Sequence, residues 1–264
     1  MVRRYTYGPF QSRRLGLSLG VDVLQKHKIC TYNCVYCEIG VTEKIVSPEY
    51  RFSAPPTHEF RKELLDILRF FPNLNSISFG YNGEPTLNEN LSDFLNIATE
   101  VRDKLNWIEE KPKLTLFTNS STLHFEEIRR KVKKFELILA KLDVSNQDDF
   151  IRTNRPHPEI PNIETIINSL IQLKKEISEN NKLAIQVLIY NSYKQDFISN
   201  NNSKNINILA QALKKIKPDI VQIYSTARIP AEYFVYSIDD NDKREIVNEL
   251  KLKIGNNDIK IDYY

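Results

Sequence analysis

The chain has 264 residues, 41% hydrophobic and 27% charged, with a formal net charge of +3. That balance is ordinary for a folded globular protein and excludes a disordered or fibrous chain. The charge is too small to mark a nucleic-acid binder by itself. No apolar run reaches the ~18 residues of a membrane span. No apolar stretch follows Met1-Val2-Arg3-Arg4 either, so no secretory signal and a reducing, cytoplasmic setting are expected.

Taken in order, residues 1–18 form a Gly-containing, locally basic arm with Arg3, Arg4, Arg13 and Arg14, and residues 19–24 read as a first strand. The loop 29–39 follows, and residues 46–56 are a proline-containing connector. Thr57 is a good N-cap for an amphipathic helix over 58–71, which Pro72 ends. The pattern then alternates. Strands are expected at 76–80, 113–120, 137–144, 183–191 and 219–226, and helices at 90–105, 125–135, 163–177 and 206–216. A last helix over 242–254 and a short strand over 258–262 complete the chain. Six strand–helix units argue for a parallel sheet with helices outside. They are too few for a closed eight-fold barrel, so a partial (β/α)6 TIM-like barrel in one domain is expected.

Cys30, Cys34 and Cys37 are the only cysteines, and all lie in the loop 29–39. Thiolates suit iron–sulfur clusters, zinc or copper(I). Ferredoxin-type spacings recruit a fourth cysteine that closes the cluster, whereas this C-x3-C-x2-C run has none. Three thiolates can hold a 4Fe–4S cube and leave one iron open to a small molecule. The competing reading is a non-enzymatic zinc or iron–sulfur module in which His27 completes the ligand set. A disulfide fits poorly, because three is odd.

The C-x3-C-x2-C loop with Tyr36 before its last cysteine resembles that of the radical S-adenosylmethionine (radical SAM) enzymes. Gly83-Glu84-Pro85-Thr86-Leu87 resembles the family's Gly-Gly-Glu turn, with Asn82 in place of the first glycine. Thr118-Asn119 and Lys141-Leu142-Asp143 resemble two further strand ends. The opening Gly8-Pro9…Ser12-Arg13-Arg14-Leu15-Gly16, Asn154-Arg155-Pro156, and Ala227 to Glu232 are similar to a subgroup related to tRNA wybutosine-synthesis enzymes.

The resemblance implies a 4Fe–4S cluster on Cys30, Cys34 and Cys37 whose open iron binds S-adenosylmethionine, cleaved by one electron to a 5′-deoxyadenosyl radical. It places Tyr36 against adenine, and Asn82, Gly83 and Glu84 at the methionine end, with Glu84 accepting from the ammonium. Asn119, Lys141 and Gln186 meet the ribose or carboxylate, and Ser12, Arg13, Arg14 and Arg155 lie toward substrate. A ferredoxin or flavodoxin donor is implied, and an apolar barrel interior would keep water from the radical. The substrate is open between an RNA nucleoside, a small molecule and a partner protein. The extra cysteines of the wybutosine-synthesis enzymes are missing, which argues against their reaction. No substrate-side acid or base is identified.

Overall fold

The computed structural model describes residues 3–25, 28–255 and 258–264. Five helices start on a side-chain cap. Thr57 accepts from the Glu59 amide ahead of α1 (His58–Phe70), and Asn146 from the Asp149 amide ahead of α4 (Gln147–Asn154). Asn162, Asn202 and Asp239 do the same for α5 (Ile163–Glu176), α6 (Ser203–Ile216) and α7 (Asp240–Ile254). In each case a side-chain oxygen satisfies an amide that the first turn would leave orphaned. Two more helices, α2 (Leu91–Asp103) and α3 (Glu126–Val132), start without a side-chain cap.

An eight-stranded sheet holds the molecule together. Its edge is β1 (Thr6–Ser12), antiparallel to β2 (Gly16–Val21). Next come β3 (Ser76–Phe79), β4 (Lys113–Thr118), β5 (Leu137–Lys141), β6 (Lys182–Leu188), β8 (Ile220–Tyr224) and β10 (Lys260–Tyr263), all parallel. A separate pair joins β7 (Tyr190–Ser192) to β9 (Val235–Ser237), antiparallel. The result is an open half-barrel, the partial TIM-like architecture expected from the alternation.

The elements depart from the periodicity in four places. The basic arm contains β1, so the first hairpin begins earlier than residue 19. The apolar run 183–191 is two strands: the chain leaves the sheet after β6, its bend held by the Ile189 amide on the Tyr224 carbonyl (2.8 Å). Residues 147–154 form α4, a helix with too few apolar positions to show a period. The final strand joins the main sheet beside β8 as a seventh parallel strand.

The apolar core lies between the sheet's outer face and the helices, where Ile77, Phe79, Leu114, Leu116, Ile138 and Ile185 meet Phe60, Phe94, Leu170 and Leu213. The inner face is mixed and not wholly apolar as expected: Leu137, Leu139 and Ala184 pack there with Leu15, beside a row of hydroxyls. Ser18 bonds Ser78 (2.7 Å), Ser78 bonds Ser76 (2.9 Å), and Ser76 bonds Thr115 (2.9 Å). Higher up, Gln186 donates to Gln222 (2.9 Å). Period-two alternation makes this possible, since each strand turns one set of side chains to the helices and the other to the barrel.

The arm is held by one buried carboxylate. Glu63 of α1, 4% exposed, accepts from the Arg4 and Thr6 amides (2.9 and 2.7 Å), the Tyr5 amide (3.2 Å) and the Thr6 hydroxyl (2.6 Å). Hydrogen bonds to a charged acceptor are the stronger kind. Glu63→Ala is expected to cost about 3 kcal/mol by urea denaturation, against less than about 0.5 kcal/mol for exposed Glu59→Ala. Equal costs would show that the clamp does not hold the arm.

Candidate active site at the carboxyl ends of the strands

The cysteine loop follows β2 and crosses the carboxyl ends of the parallel strands, the edge where barrels and open α/β sheets place their ligands. Backbone contacts fix it on every side. The Ile29 amide donates to the Asn82 carbonyl and the Glu84 amide to the Ile29 carbonyl, both 2.9 Å. The Val46 amide bonds the Cys30 carbonyl (3.0 Å). Asn33 and Val35 donate to carbonyls at the end of α4, at Asn154 (3.1 Å) and Thr153 (3.0 Å). The Glu38 carboxylate takes the Ala227 and Arg228 amides (2.6 and 3.0 Å), and the Glu232 amide reaches the Val35 carbonyl (3.0 Å).

Gly83 makes the first of these contacts possible. Its φ is +124°, and an added Cβ would stand 1.8 Å from the Ile29 carbonyl oxygen. Only glycine passes the loop this closely.

The three thiols are partly buried and unpaired by disulfides. Each sulfur receives one side-chain N–H: Asn119 on Cys30 (3.5 Å), Asn154 on Cys34 (3.5 Å) and Lys28 on Cys37 (3.3 Å). Burial pushes Cys30 up to about 11 and Cys34 up to about 12, with the neighbouring thiols adding to the effect. The protein alone therefore favours thiols there, and thiolates need a cationic metal group to replace the protons. Among the described residues no three His, Cys, Asp or Glu side chains are gathered to hold a single metal ion. His27, the fourth ligand of the zinc reading, lies outside the described residues. The donor set fits an iron–sulfur cluster: three soft sulfurs facing one cavity, each with an N–H directed at it, an arrangement that tunes such clusters.

That cavity measures about 410 Å³. Cys30, Cys34 and Cys37 line it together with Tyr36, Gly83, Asn119, Lys141 and Gln186, five of the seven cosubstrate residues read from the sequence. The other two are placed elsewhere. Asn82 turns its amide away to Asp22.

Glu84 is fully buried, and its carboxylate is occupied by the protein itself. It accepts from the Thr86 amide and hydroxyl (3.2 and 2.6 Å), the Thr118 hydroxyl (2.8 Å) and the Asn119 amide (2.5 Å). Burial pushes its carboxyl upward and these donors pull against that. Glu84 thus braces the end of β4 rather than presenting a free acceptor to the cavity. The motif announced an acidic residue, but the direction of its side chain also depends on the Thr118 hydroxyl and the Asn119 amide, 34 and 35 positions away.

Asp143 is the hub of the opposite wall. Its 1%-exposed side chain accepts from Lys141 (2.8 Å) and the Leu188 amide (2.7 Å), and bonds the Tyr36 hydroxyl. Asn154 reaches both Asp143 and Tyr36 (3.3 and 3.1 Å). Burial would pull Lys141 down, but Asp143 and Tyr224 reverse this and push it up, so Lys141 is a cation. Its Nζ lies 4.7 Å from the centre of the Tyr36 ring and bonds the Tyr224 hydroxyl at 2.8 Å. Arg155, placed toward substrate by the motif, is instead paired with Glu232 and does not line the cavity. The Glu38 clamp carried no signal in the sequence, because its partners are 189–190 positions away; the motif marked Asn154 but not its reach to Cys34, 120 positions away.

No protein-family model matches the chain. It is 29% identical over 222 residues to a GTPase Obg of Brachyspira hyodysenteriae, covering 84% of this chain and 30% of that protein. To a UPF0026 protein of Methanocaldococcus jannaschii it is 26% identical over 231 residues, covering 87% and 65%. The chain thus spans less than a third of the first relative and just under two thirds of the second.

Among solved structures it resembles Streptococcus suis SuiB bound to S-adenosylmethionine, with TM-score 0.59, 15% identity and coverage of 90% and 48%. It also resembles TYW1 with a lysine–pyruvate adduct bound, with TM-score 0.58, 15% identity and coverage of 89% and 73%. These are radical SAM enzymes, and the chain has their fold, as the motifs led one to expect.

Gly83→Ala is expected to cost more than about 3 kcal/mol in urea denaturation, since it adds both a clash and backbone strain. Gly255→Ala, at φ +60° with open space around it, is expected to cost about 1 kcal/mol. Equal losses would show that the turn does not depend on this close approach.

Proposed function

We propose that the cavity is the active site of a radical SAM enzyme. The observation that carries this reading is the convergence of all three cysteines, with no fourth in the chain, on one cavity shared with the Gly83 turn. A 4Fe–4S cluster on Cys30, Cys34 and Cys37 supplies, when bound, the electron that cleaves S-adenosylmethionine to a 5′-deoxyadenosyl radical.

The chain's own residues bind and orient. Gly83 lets its turn lie against the cysteine loop and present backbone to the methionine end, and Tyr36 offers a ring face to adenine. Asn119, Lys141 and Gln186 present two amides and a cation to the ribose hydroxyls and the carboxylate. Glu84 and Asp143 act one step back: Glu84 fixes the Asn119 backbone, and Asp143 fixes Lys141 and Tyr36. Fixed donors of this kind lose little freedom when ligand arrives. A ferredoxin or flavodoxin supplies the electron, in the cytoplasm. The hydrogen donor is an RNA nucleoside or a smaller molecule.

Anaerobic reconstitution is expected to load about four irons per chain. With reductant and S-adenosylmethionine, the protein should then release 5′-deoxyadenosine, and Cys34→Ala should release none. Wild-type release no greater than that of Cys34→Ala would remove the radical assignment. One tightly held zinc in its place would support the metal-binding module.

A further inference from the structure

The β1–β2 turn, at the amino end of the sheet, sends a charged side chain up into the barrel. The Ser12 hydroxyl accepts from the Arg14 and Leu15 amides (3.3 and 3.2 Å), and Gly16 turns the chain at φ +68°. Leu15 packs against Leu137, Leu139 and Ala184, so the turn forms a fixed floor. From it the Arg14 guanidinium reaches the face of Tyr224, 4.2 Å from the ring centre. The same ring's hydroxyl receives Lys141.

The two cations are treated differently. Lys141 is neutralised by Asp143. Arg14 Nη1 is buried without a hydrogen-bond partner. A buried guanidinium N–H left unmatched is costly, and such a group suits a carboxylate or phosphate that meets its planar fork.

Arg14 lines two cavities, and they differ in how many carboxylates an anion would meet. The lower cavity, about 900 Å³, is lined by both signs of charge, Glu109, Glu110, Glu136 and Asp262 among Arg102, Lys111, Lys113, Lys182 and Lys260. The upper, the proposed active site, has Glu38 as its lining carboxylate, and that group already accepts the Ala227 and Arg228 amides. An anion below would lie among four carboxylates, whereas above it meets one, already occupied, with Lys28, Lys141 and Arg228 lining the same cavity as Arg14.

We propose that Arg14 is a specificity-determining residue that binds an oxyanion, carboxylate or phosphate, carried by the substrate. This rests on the upper cavity being the place where substrate meets cosubstrate. The test is titration of the reconstituted protein, without reductant, with inorganic phosphate and separately with malonate, followed through arginine Nε–H resonances.

Saturable binding of either anion is expected, and the tighter of the two names the class. Arg14→Gln should weaken binding at least tenfold. Arg14→Lys should weaken it less, keeping the charge but not the fork and so retaining the stacked cation over Tyr224. Exposed Arg13→Gln should match wild type. Binding unchanged in both Arg14 variants, or no saturable binding by wild type, overturns the proposal. Saturating S-adenosylmethionine should leave phosphate affinity within twofold. Displacement of phosphate would show that Arg14 holds the cosubstrate's own carboxylate, and would also overturn it. Failure to release 5′-deoxyadenosine leaves the anion titration readable, so the two ideas fail separately.

Discussion

The arrangement depends on one place where two backbones come closer than any side chain allows. At Gly83 the turn after β3 lies against Ile29, one residue before the first cysteine, and two amide–carbonyl bonds fasten them together. This contact sets the height of the cysteine loop above the sheet. The remaining supports, from the end of α4 and the 227–232 segment, then fix its tilt. The loop residues that face the cavity inherit their positions from that frame, including Tyr36.

The fold was legible in the sequence because the strands and helices obey strong local rules: apolar runs for β5, β6 and β8, and side-chain caps at the helix starts. The elements that were not legible had weak local signals. β1 is a polar edge strand, and α4 is a short helix with one large apolar anchor, Phe150. The row of hydroxyls inside the barrel was missed for a different reason. Alternation shows that one face of a strand is polar, yet cannot tell whether that face meets solvent or another row of hydroxyls, as Ser18, Ser76, Ser78 and Thr115 do.

Site residues divide in the same way. Cysteines, glycine and lysine could be named from spacing and resemblance, and the structure brings them to one cavity. The direction of a side chain is set by distant neighbours, so Glu84, Asn82 and Arg155 were named but point elsewhere. The residues that do most to hold the others still, Asp143 and Asn154, work through partners on other strands and helices. A motif marks which atoms a site needs; it does not mark what keeps those atoms in place.

The supports of the cysteine loop also bear on how the protein is made. The loop sits near the start of the chain, but its contact with Arg228 spans 190 positions and closes only once the last third has folded. Contacts of such high sequence separation form late, because a long loop must be closed before they gain anything. During synthesis the thiols therefore leave the ribosome well before the frame that orients them exists. On a growing chain Cys30, Cys34 and Cys37 are thus open to oxidation until the contacts that half-bury them have closed.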